Sequence, residues 1–248
     1  MTKNTISFEN GNRAVIVTAP PPDGSVKEIL DALEIASPRA VILLFGGAAG
    51  LDESRKAHLA TLFADGVTPV AAELGALIID GGTQSGVMAI MGEAVARHPG
   101  TCQLLGIAPK GKIAHPEIAG ASAVSHGAAL EPHHSHFVLV ESAEWGGETE
   151  TMLELTRAFN APIVAILVNG GAIAADEALQ SVRNGWQLLV VEGSGRFADE
   201  LSAAVHDSQR AKSAEVNEIA RSGRVALFHM DDAASTLKIK LHRMFSQE

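Results

Sequence analysis

Glycine-rich turns follow several apolar segments and have the composition of an anion-binding site. A glycine lets its backbone N–H approach an anion closely, and a helix that begins at the same turn adds unpaired N–H groups and the positive end of its dipole. These turns therefore predict a bound phosphate or diphosphate. Their predicted ligand-binding residues are Gly46, Gly47, Gly81, Gly82, Thr83, Ser85, Gly86, Val87, Gly146, Gly147, Thr149, Gly170, Gly193, Ser194, Gly195 and Arg196.

The spacing within two of these turns limits the nucleotide chemistry. The segment 81–86 lacks the Gly-Lys-Ser/Thr ending of a P-loop, which disfavours an ATPase or GTPase. The segment 193–198 fits the Gly-x-Gly-x-x-Ala dinucleotide pattern, but it comes late, whereas the fingerprint of nicotinamide dehydrogenases belongs to the first βα turn. Thr83 and Ser85 offer hydroxyl donors to a phosphate, or they cap the next helix. Arg196 stands in a predicted first helical turn, where a cation gains nothing from the dipole, and this favours a phosphate contact.

Acidic residues at the start of the predicted helix 149–159 have two interpretations. Glu148, Glu150 and Glu154 come directly after the glycine pair 146–147. Glu148 is the candidate for ligand contact and catalysis, as a general base on a ribose hydroxyl or as the group that stabilises an oxocarbenium ion. Alternatively, the three carboxylates complement the helix dipole and cap its N–H groups.

Three histidines beside Glu131 raise the question of a metal site. Side chains that enter a strand alternate in direction, so at most His134 and His136 of the set His133, His134 and His136 share a face. The spacing of ordinary metal ligands is absent, and no metal site is predicted. We expect His134 either to shape the ligand rim through hydrogen bonds or to be buried near Gly82.

Short β-branched or Leu-rich runs alternate with segments of helical period, which predicts βα units around a mainly parallel sheet. The glycine turns would then meet at the carboxyl rim of that sheet, where open α/β sheets bind ligands. The segment 109–132 is expected to be a long irregular connection, either a flap beside the site or a surface insertion. The predicted fold is α/β, a Rossmann-like three-layer sandwich of about seven strands at 14–18, 40–45, 76–80, 103–107, 137–140, 163–168 and 187–191, with a short additional strand at 225–228 and helices at 25–35, 51–63, 87–97, 149–159, 176–183, 196–205, 211–221 and 233–245.

Composition limits the compartment and the partners. The 248 residues are expected to form one domain with a helical tail at 211–248 that packs on it or forms a dimer contact. No apolar run approaches the roughly 20 residues that cross a bilayer, and the N-terminus lacks signal-peptide features, so a cytoplasmic protein is expected. The single Cys102 excludes an intramolecular disulfide and a sulfur-based metal site. A net charge of −10 without a basic cluster argues against binding to nucleic acid or to an anionic membrane.

Four segments occur in the order found in the SLOG superfamily, namely LIIDGGTQSGVM at 77–88, LGIAPKG at 105–111, LEPHHSHFVLV at 130–140 and VVEGSGRFAD at 190–199. Together they resemble the branch of that superfamily found in the cytosolic N-terminal region of TRPM channels, the LSDAT type, over residues 40–205. The resemblance implies a Rossmann-like domain that senses or processes nucleotide-derived ligands such as ADP-ribose. It also implies a free-standing version of the domain, without the channel segment.

A more distant resemblance connects residues 145–154 with the Lonely Guy-type, lysine decarboxylase-like phosphoribohydrolases. Those enzymes carry Pro-Gly-Gly-x-Gly-Thr-x-x-Glu at a helix start. Here Trp145 stands in place of Pro, the second half of the motif has no Gly, and Thr151 aligns only with one extra residue. These departures count against inherited hydrolase activity.

Three functions are consistent with these features. The first is binding or sensing of a nucleotide-derived ligand, of the ADP-ribose, NAD or nucleoside phosphate type, with a separate effector protein as partner. The second is an N-glycosidase or phosphoribohydrolase that acts on a nucleotide. The third is a structural oligomerisation domain with an empty glycine rim. We expect no required cofactor beyond the ligand, and a homo-oligomer.

Overall fold

The computed structural model describes residues 1–21, 26–47, 49–115 and 127–246. Nine strands form one sheet in this part of the chain: β1 Thr2–Ser7, β2 Arg13–Ala19, β3 Ala40–Gly46, β4 Ala76–Asp80, β5 Gln103–Pro109, β6 His136–Val140, β7 Ile163–Val168, β8 Gln187–Glu192 and β9 Val225–His229. Their order is β1-β2-β6-β5-β4-β3-β7-β8-β9. β1 is antiparallel to β2, and every other neighbouring pair is parallel.

Helices cover both faces of the sheet and complete the predicted three-layer sandwich. They are α1 Val26–Leu33, α2 Glu53–Leu62, α3 Thr68–Leu74, α4 Gly86–Ala96, α5 Thr149–Ala158, α6 Ala172–Arg183, α7 Arg196–His206, α8 Ala214–Arg221 and α9 Ala234–Phe245. One core contains side chains of α1 and of α5 to α8, and the other contains those of α2, α3, α4 and α9. The central strands β3, β4 and β7 are almost entirely buried, as expected for parallel strands between two helical layers.

The seven predicted strands are all present, and the sheet has two more. β9 corresponds to the short strand predicted at 225–228. β1 has no counterpart in the prediction because its side chains are mostly polar and exposed, and only Ile6 is buried. The helix predicted at 51–63 corresponds to α2, which continues through a π-helical turn, Phe63–Val67, into α3. The helix predicted at 176–183 begins earlier, at Ala172.

The strand order reverses beside β3. From β3 the chain proceeds through β4, β5 and β6 toward one edge of the sheet, and it then crosses back to β7 on the other side of β3. The parallel register places Gly46 of β3 opposite Val168 of β7. The chain segments that leave these two strands diverge to opposite faces and leave a crevice, which is the usual ligand site of such sheets. We call this place the switch point.

The described ends of the predicted connection 109–132 are tied to the sandwich. A 3₁₀ turn, Lys110–Lys112, follows β5, and isolated bridges pair Ile113 with Ala128 and Thr83 with Leu130. Residues 116–126 of this prediction lie outside the described residues.

The predicted helical tail packs on the domain. α9 buries Leu237, Leu241 and Met244, while Lys238 forms an ion pair and His242 a hydrogen bond with Glu73 of α3. Across the described ranges, none of the helices combines the length and apolarity that a membrane span requires.

Candidate functional site

A cavity of about 350 Å³ opens at the switch point. The end of β3 contributes to its floor, and its walls come from the turns that follow β3, β4 and β7 and from the turn that precedes α5. Five predicted ligand residues line it, namely Gly46, Gly47, Gly81, Thr83 and Glu148. The structure therefore brings together residues that are separated by about 100 positions in the sequence, on the rim where the glycine turns were predicted to meet.

Two long helices begin at the switch point without a side-chain cap. Gly171 is the N-cap of α6 and Gly195 is the N-cap of α7, and neither has a side chain that accepts a hydrogen bond. In α7, however, the N–H groups of Phe197 and Ala198 already donate to the carbonyl oxygens of Gly170 and Asn169. The first N–H groups of a helix have no partner within it, and the dipole makes this end positive. α4 and α5 begin on the same rim and also lack a side-chain cap. The rim thus carries the kind of donors that bind anions.

Arg196 brings a positive charge to this rim. A β-carbon placed on Gly171 would lie 2.9 Å from Nη2 of Arg196, and one placed on Gly47 would lie 3.6 Å from Nη1, so the guanidinium lies over both turns. Arg196 is exposed, and no described carboxylate forms an ion pair with it. Its φ of 47° is uncommon for a residue with a Cβ. This backbone conformation costs free energy, so Arg196, which has no ion-pair partner among the described residues, is a candidate to bind a ligand.

Asn169 ties three turns of the rim together. It is buried at the end of β7, and its Nδ2 donates to the carbonyl oxygens of Gly47 at 3.2 Å and Ala49 at 2.8 Å. Its backbone N–H donates to Oγ of Ser194 at 2.8 Å. The hydroxyl of Ser194 in turn donates to the carbonyl oxygen of Val191. Asn169 and Ser194 therefore position the turns after β3, β7 and β8, and the Ser194 hydroxyl is engaged with the backbone.

Two carboxyl groups lie in the cavity wall. Glu148 is buried, and one of its oxygens accepts the N–H of Gly146 at 2.9 Å. Glu177 of α6 is 7% exposed, and its carboxyl group makes no hydrogen bond or ion pair with the described residues. Burial, together with the charges of Glu148 and Asp176, raises the pKa of Glu177 well above its ordinary value. Burial also raises the pKa of Glu148, although hydrogen bonds from backbone N–H groups oppose this.

The turn after β4 contributes Gly81 and the hydroxyl-bearing Thr83 to the cavity. Oγ1 of Thr83 lies 3.1 Å from Oγ of Ser85. Ser85 is the N-cap residue of α4, but it makes no capping hydrogen bond through its side chain. The capping role that was the alternative interpretation of Ser85 is therefore absent.

The remaining glycine-turn residues lie behind or beside the cavity wall. Gly82 faces Phe137 and the backbone of Gly106, where an added β-carbon would be 2.7 Å from the Gly106 Cα. The N–H of Gly193 donates to Asp199 at 2.7 Å. Apart from Arg196 and His134, the predicted residues that the structure does not place in the lining of the cavity are Gly82, Ser85, Gly86, Val87, Gly146, Gly147, Thr149, Gly170, Gly193, Ser194 and Gly195.

His134 lies apart from the cavity, in a buried polar network. Its Nδ1 is 2.8 Å from Oε2 of Glu131, and its Nε2 is 2.9 Å from Oδ1 of Asp80. Burial alone would lower the pKa of His134, but the two carboxylates outweigh it and raise the pKa to about 9. Oδ1 of Asp80 also accepts the N–H of Gly82 at 2.7 Å. His134 therefore supports the turn after β4 from behind.

The family described as SLOG in TRPM, prokaryote, matches residues 39–238, which is most of the chain. The chain belongs to this SLOG family. The match begins at β3 and ends within α9, so it includes both strands of the switch point and every described residue of the cavity.

Relatives of this SLOG domain are ion channels. The chain is 28% identical over 200 residues to mouse transient receptor potential cation channel subfamily M member 2, and this match covers 66% of the chain and 13% of the channel. It is 27% identical over 216 residues to human subfamily M member 7, with 75% and 11% covered, and 26% identical over 204 residues to member-like 2 of Nematostella vectensis, with 67% and 13% covered. The matched region is thus about an eighth of the length of these relatives.

Several residues of the SLOG cavity are absent from the sequence-based prediction. Glu177 stands at the helical spacing of the buried residues Ala174, Ala178 and Ser181, so the period of α6 contains a sign of its burial. Trp145 and Ile173 are exposed and line the cavity. Their proximity depends on the packing of α6 against the turn before α5, which no local pattern reveals.

Proposed function

We propose that the cavity at the switch point binds a nucleotide-derived ligand, with its phosphate against Arg196 and the start of α6. The observation that carries the proposal is a cation without an ion-pair partner among the described residues, placed beside the uncapped start of α6. Each of these features attracts an anion, and their coincidence at the strand-order reversal is typical of nucleotide-binding α/β domains. The exposed ring of Trp145 beside the cavity supplies a surface on which a base can stack.

We further propose that the domain acts as a sensor whose signal passes to a separate effector protein. The support is the likeness to a region of proteins that are named as cation channels, of which this chain matches only a small part. In this proposal the ligand stabilises one arrangement of the turns, and the effector recognises that arrangement.

Calorimetric titration with ADP-ribose, NAD and AMP tests the binding proposal, with adenosine as the ligand that lacks a phosphate. We expect binding of at least one phosphate-bearing ligand and much weaker binding of adenosine. Arg196→Gln is expected to weaken binding by at least about 10-fold, since charge-assisted hydrogen bonds contribute about 1.5–3 kcal/mol. The substituted residue also has a Cβ, so the cost of the positive φ is unchanged.

Arg210→Gln is the matched control, because Arg210 lies in the turn beyond α7 and pairs at the surface with Asp207. The control should bind as the wild type does. Equal binding by the wild-type protein and Arg196→Gln would contradict the placement of the phosphate. No binding of any of the three ligands at millimolar concentration would favour a structural oligomerisation domain instead.

A second candidate function is hydrolysis of the ligand's glycosidic bond. The observation that favours it is the pair Glu148 and Glu177, two buried carboxyls with raised pKa values in one cavity, which is an arrangement that supports acid–base chemistry. Chromatography of released base after incubation with AMP or NAD distinguishes an enzyme from a sensor. Turnover that Glu148→Gln abolishes supports the enzyme, whereas stabilisation by the ligand without product supports the sensor.

A further inference from the structure

Among the described residues, no partner explains the burial of the Glu177 carboxyl group. It lies on the face of α6 that packs into the core, and a carboxyl at such a position normally has a donor or a cation beside it. In the described ranges of this chain no such group is within bonding distance. The small part of the side chain that remains accessible belongs to the cavity lining. An isolated buried carboxyl that borders a cavity is a candidate to bind a ligand there.

We propose that Glu177, together with Glu148, binds the vicinal hydroxyl groups of a ribose, so that the site distinguishes ribonucleotides from deoxyribonucleotides. This inference rests on the proposed function and specifies which part of the ligand contacts the carboxyl pair. It assigns Glu177 as a specificity-determining residue.

The placement of charge in the cavity orients the ligand in this way. The positive features, Arg196 and the first turn of α6, lie at one end of that helix, and Glu177 follows Gly171 by roughly 9 Å of helical rise. A phosphate beside the carboxyl pair would be repelled, whereas at the helix start it is attracted. A nucleotide whose phosphate occupies the helix start therefore directs an uncharged part toward Glu148 and Glu177, and its sugar is the part that carries hydroxyls.

The protonation of the pair fits hydroxyl groups. Both carboxyls have raised pKa values, that of Glu177 more so, with Glu148 and Asp176 as the neighbouring charges that act on Glu177. A carboxyl with a raised pKa keeps its proton to a higher pH, and a protonated carboxyl offers an O–H donor beside its acceptor oxygen. A hydroxyl group donates one hydrogen bond and accepts others, so two neighbouring hydroxyls are complementary to such a pair.

The test compares the affinities of AMP, 2′-deoxy-AMP and 3′-deoxy-AMP. The wild-type protein should bind AMP about 3- to 10-fold more tightly than either deoxy analogue, the factor expected for one neutral hydrogen bond. Glu177→Met should bind AMP no more tightly than one of the two deoxy analogues, the one that lacks the hydroxyl contacted by Glu177, and its affinity for that analogue should equal that of the wild type. Its preference for AMP over the other analogue should persist, because Glu148 is still present. Glu177→Gln, which keeps a donor and an acceptor, should retain most of the preference for AMP.

Glu150→Gln is the matched control, since it removes an exposed carboxylate from the first turn of α5 and Glu150 is not one of the charges that raise the pKa of Glu177. It should discriminate as the wild-type protein does. Glu177→Met should also raise the Tm of the free protein, because it replaces an unpartnered buried carboxyl with an apolar side chain. A lowered Tm with intact discrimination would assign Glu177 a structural role and overturn the inference.

The comparison within the wild-type protein remains decisive even where a variant does not fold. Equal binding of AMP and both deoxy analogues would overturn the assignment of the ribose and leave the nucleotide site standing. Failure of all three to bind, together with ADP-ribose and NAD, would overturn the proposed function and this inference with it.

Discussion

At the scale of single residues, a buried cluster of His134, Glu131 and Asp80 lies beneath α4. His134 bridges Glu131 and Asp80, and Gly92 of α4 provides the space for this arrangement. A β-carbon at Gly92 would lie 2.1 Å from the carboxyl carbon of Glu131. Glycine inside a helix costs about 1 kcal/mol relative to alanine. Its presence here is explained by the close approach of Glu131, which in turn holds His134 and, through Asp80, the turn at Gly82.

His134 makes the stability of the protein depend on pH in a defined direction. Its pKa is about 9 in the folded protein, above the ordinary value of 6.5, so its ion pairs stabilise the fold fully below pH 6.5. This contribution is lost as the pH rises from 6.5 through 9. The pKa shift of His134 corresponds to about 3 kcal/mol of the free energy of unfolding. Denaturant unfolding at pH 6 and at pH 9.5 measures the loss.

His134→Gln isolates this residue's contribution. At pH 6 the variant should lose about 3–5 kcal/mol, because two buried carboxylates lose their cation, and the fall in stability between pH 6.5 and 9 should flatten. His98→Gln, at an exposed histidine, serves as the control. If His134→Gln keeps the slope of the wild-type protein over this range, another group causes the pH dependence.

At the scale of elements, glycine occurs at the end of β3 and at the start of α6 for different physical reasons. A β-carbon on Gly46, at the end of β3, would lie 2.5 Å from the carbonyl oxygen of Val168 and 2.7 Å from Cγ2 of Val87. Gly46 thus permits β3, β7 and α4 to pack closely. The nearest atoms to a β-carbon on Gly171, at the start of α6, belong to the flexible end of Arg196. Gly171 has a φ of −118°, so its backbone does not require glycine.

Alanine substitution should therefore separate packing from ligand access. Gly46→Ala is expected to lose about 1–3 kcal/mol of stability through overpacking. Gly171→Ala should change stability by no more than about 0.5 kcal/mol, but its methyl group occupies space where an anion approaches the helix start. Thermal unfolding and titration with AMP on both variants provide the measurement. Wild-type affinity in Gly171→Ala would place the phosphate elsewhere.

The sequence predicts elements better than it predicts the contacts between them. Strands such as β3 and β7 are continuous apolar runs followed by glycine, so local composition reveals both the strand and the turn. β1 is missed because it is a polar edge strand, and α3 because a π-helical turn precedes it. Glu177 and Asn169 are missed as site residues because their roles depend on strand order, which brings together turns more than 100 residues apart.

At the scale of the whole molecule, the cavity lies where two parts of the sheet meet. β1, β2 and β4 to β6 extend from β3 in one direction, and β8 and β9 extend from β7 in the other. The pairing of β3 with β7 joins the two parts, and Asn169 adds hydrogen bonds between the turns above them. A ligand that touches the turns after β3, β4 and β7 at once would connect both parts a second time. Its binding free energy then opposes any opening that separates β3 from β7.

Ligand binding should for this reason protect the whole sheet and not only the turns. At a ligand concentration 100-fold above Kd, the linkage predicts about 2.7 kcal/mol of added stability. An added stability of about 2.7 kcal/mol corresponds to about 100-fold slower amide hydrogen exchange wherever exchange requires global unfolding. With AMP as the ligand, this slowing should occur in both β5 and β8, which lie on opposite sides of the switch point. Arg196→Gln at the same AMP concentration should show less protection in both strands. Protection in β8 alone would mean that the ligand contacts only the β7 side, and the cavity would then not act as the joint between the two parts.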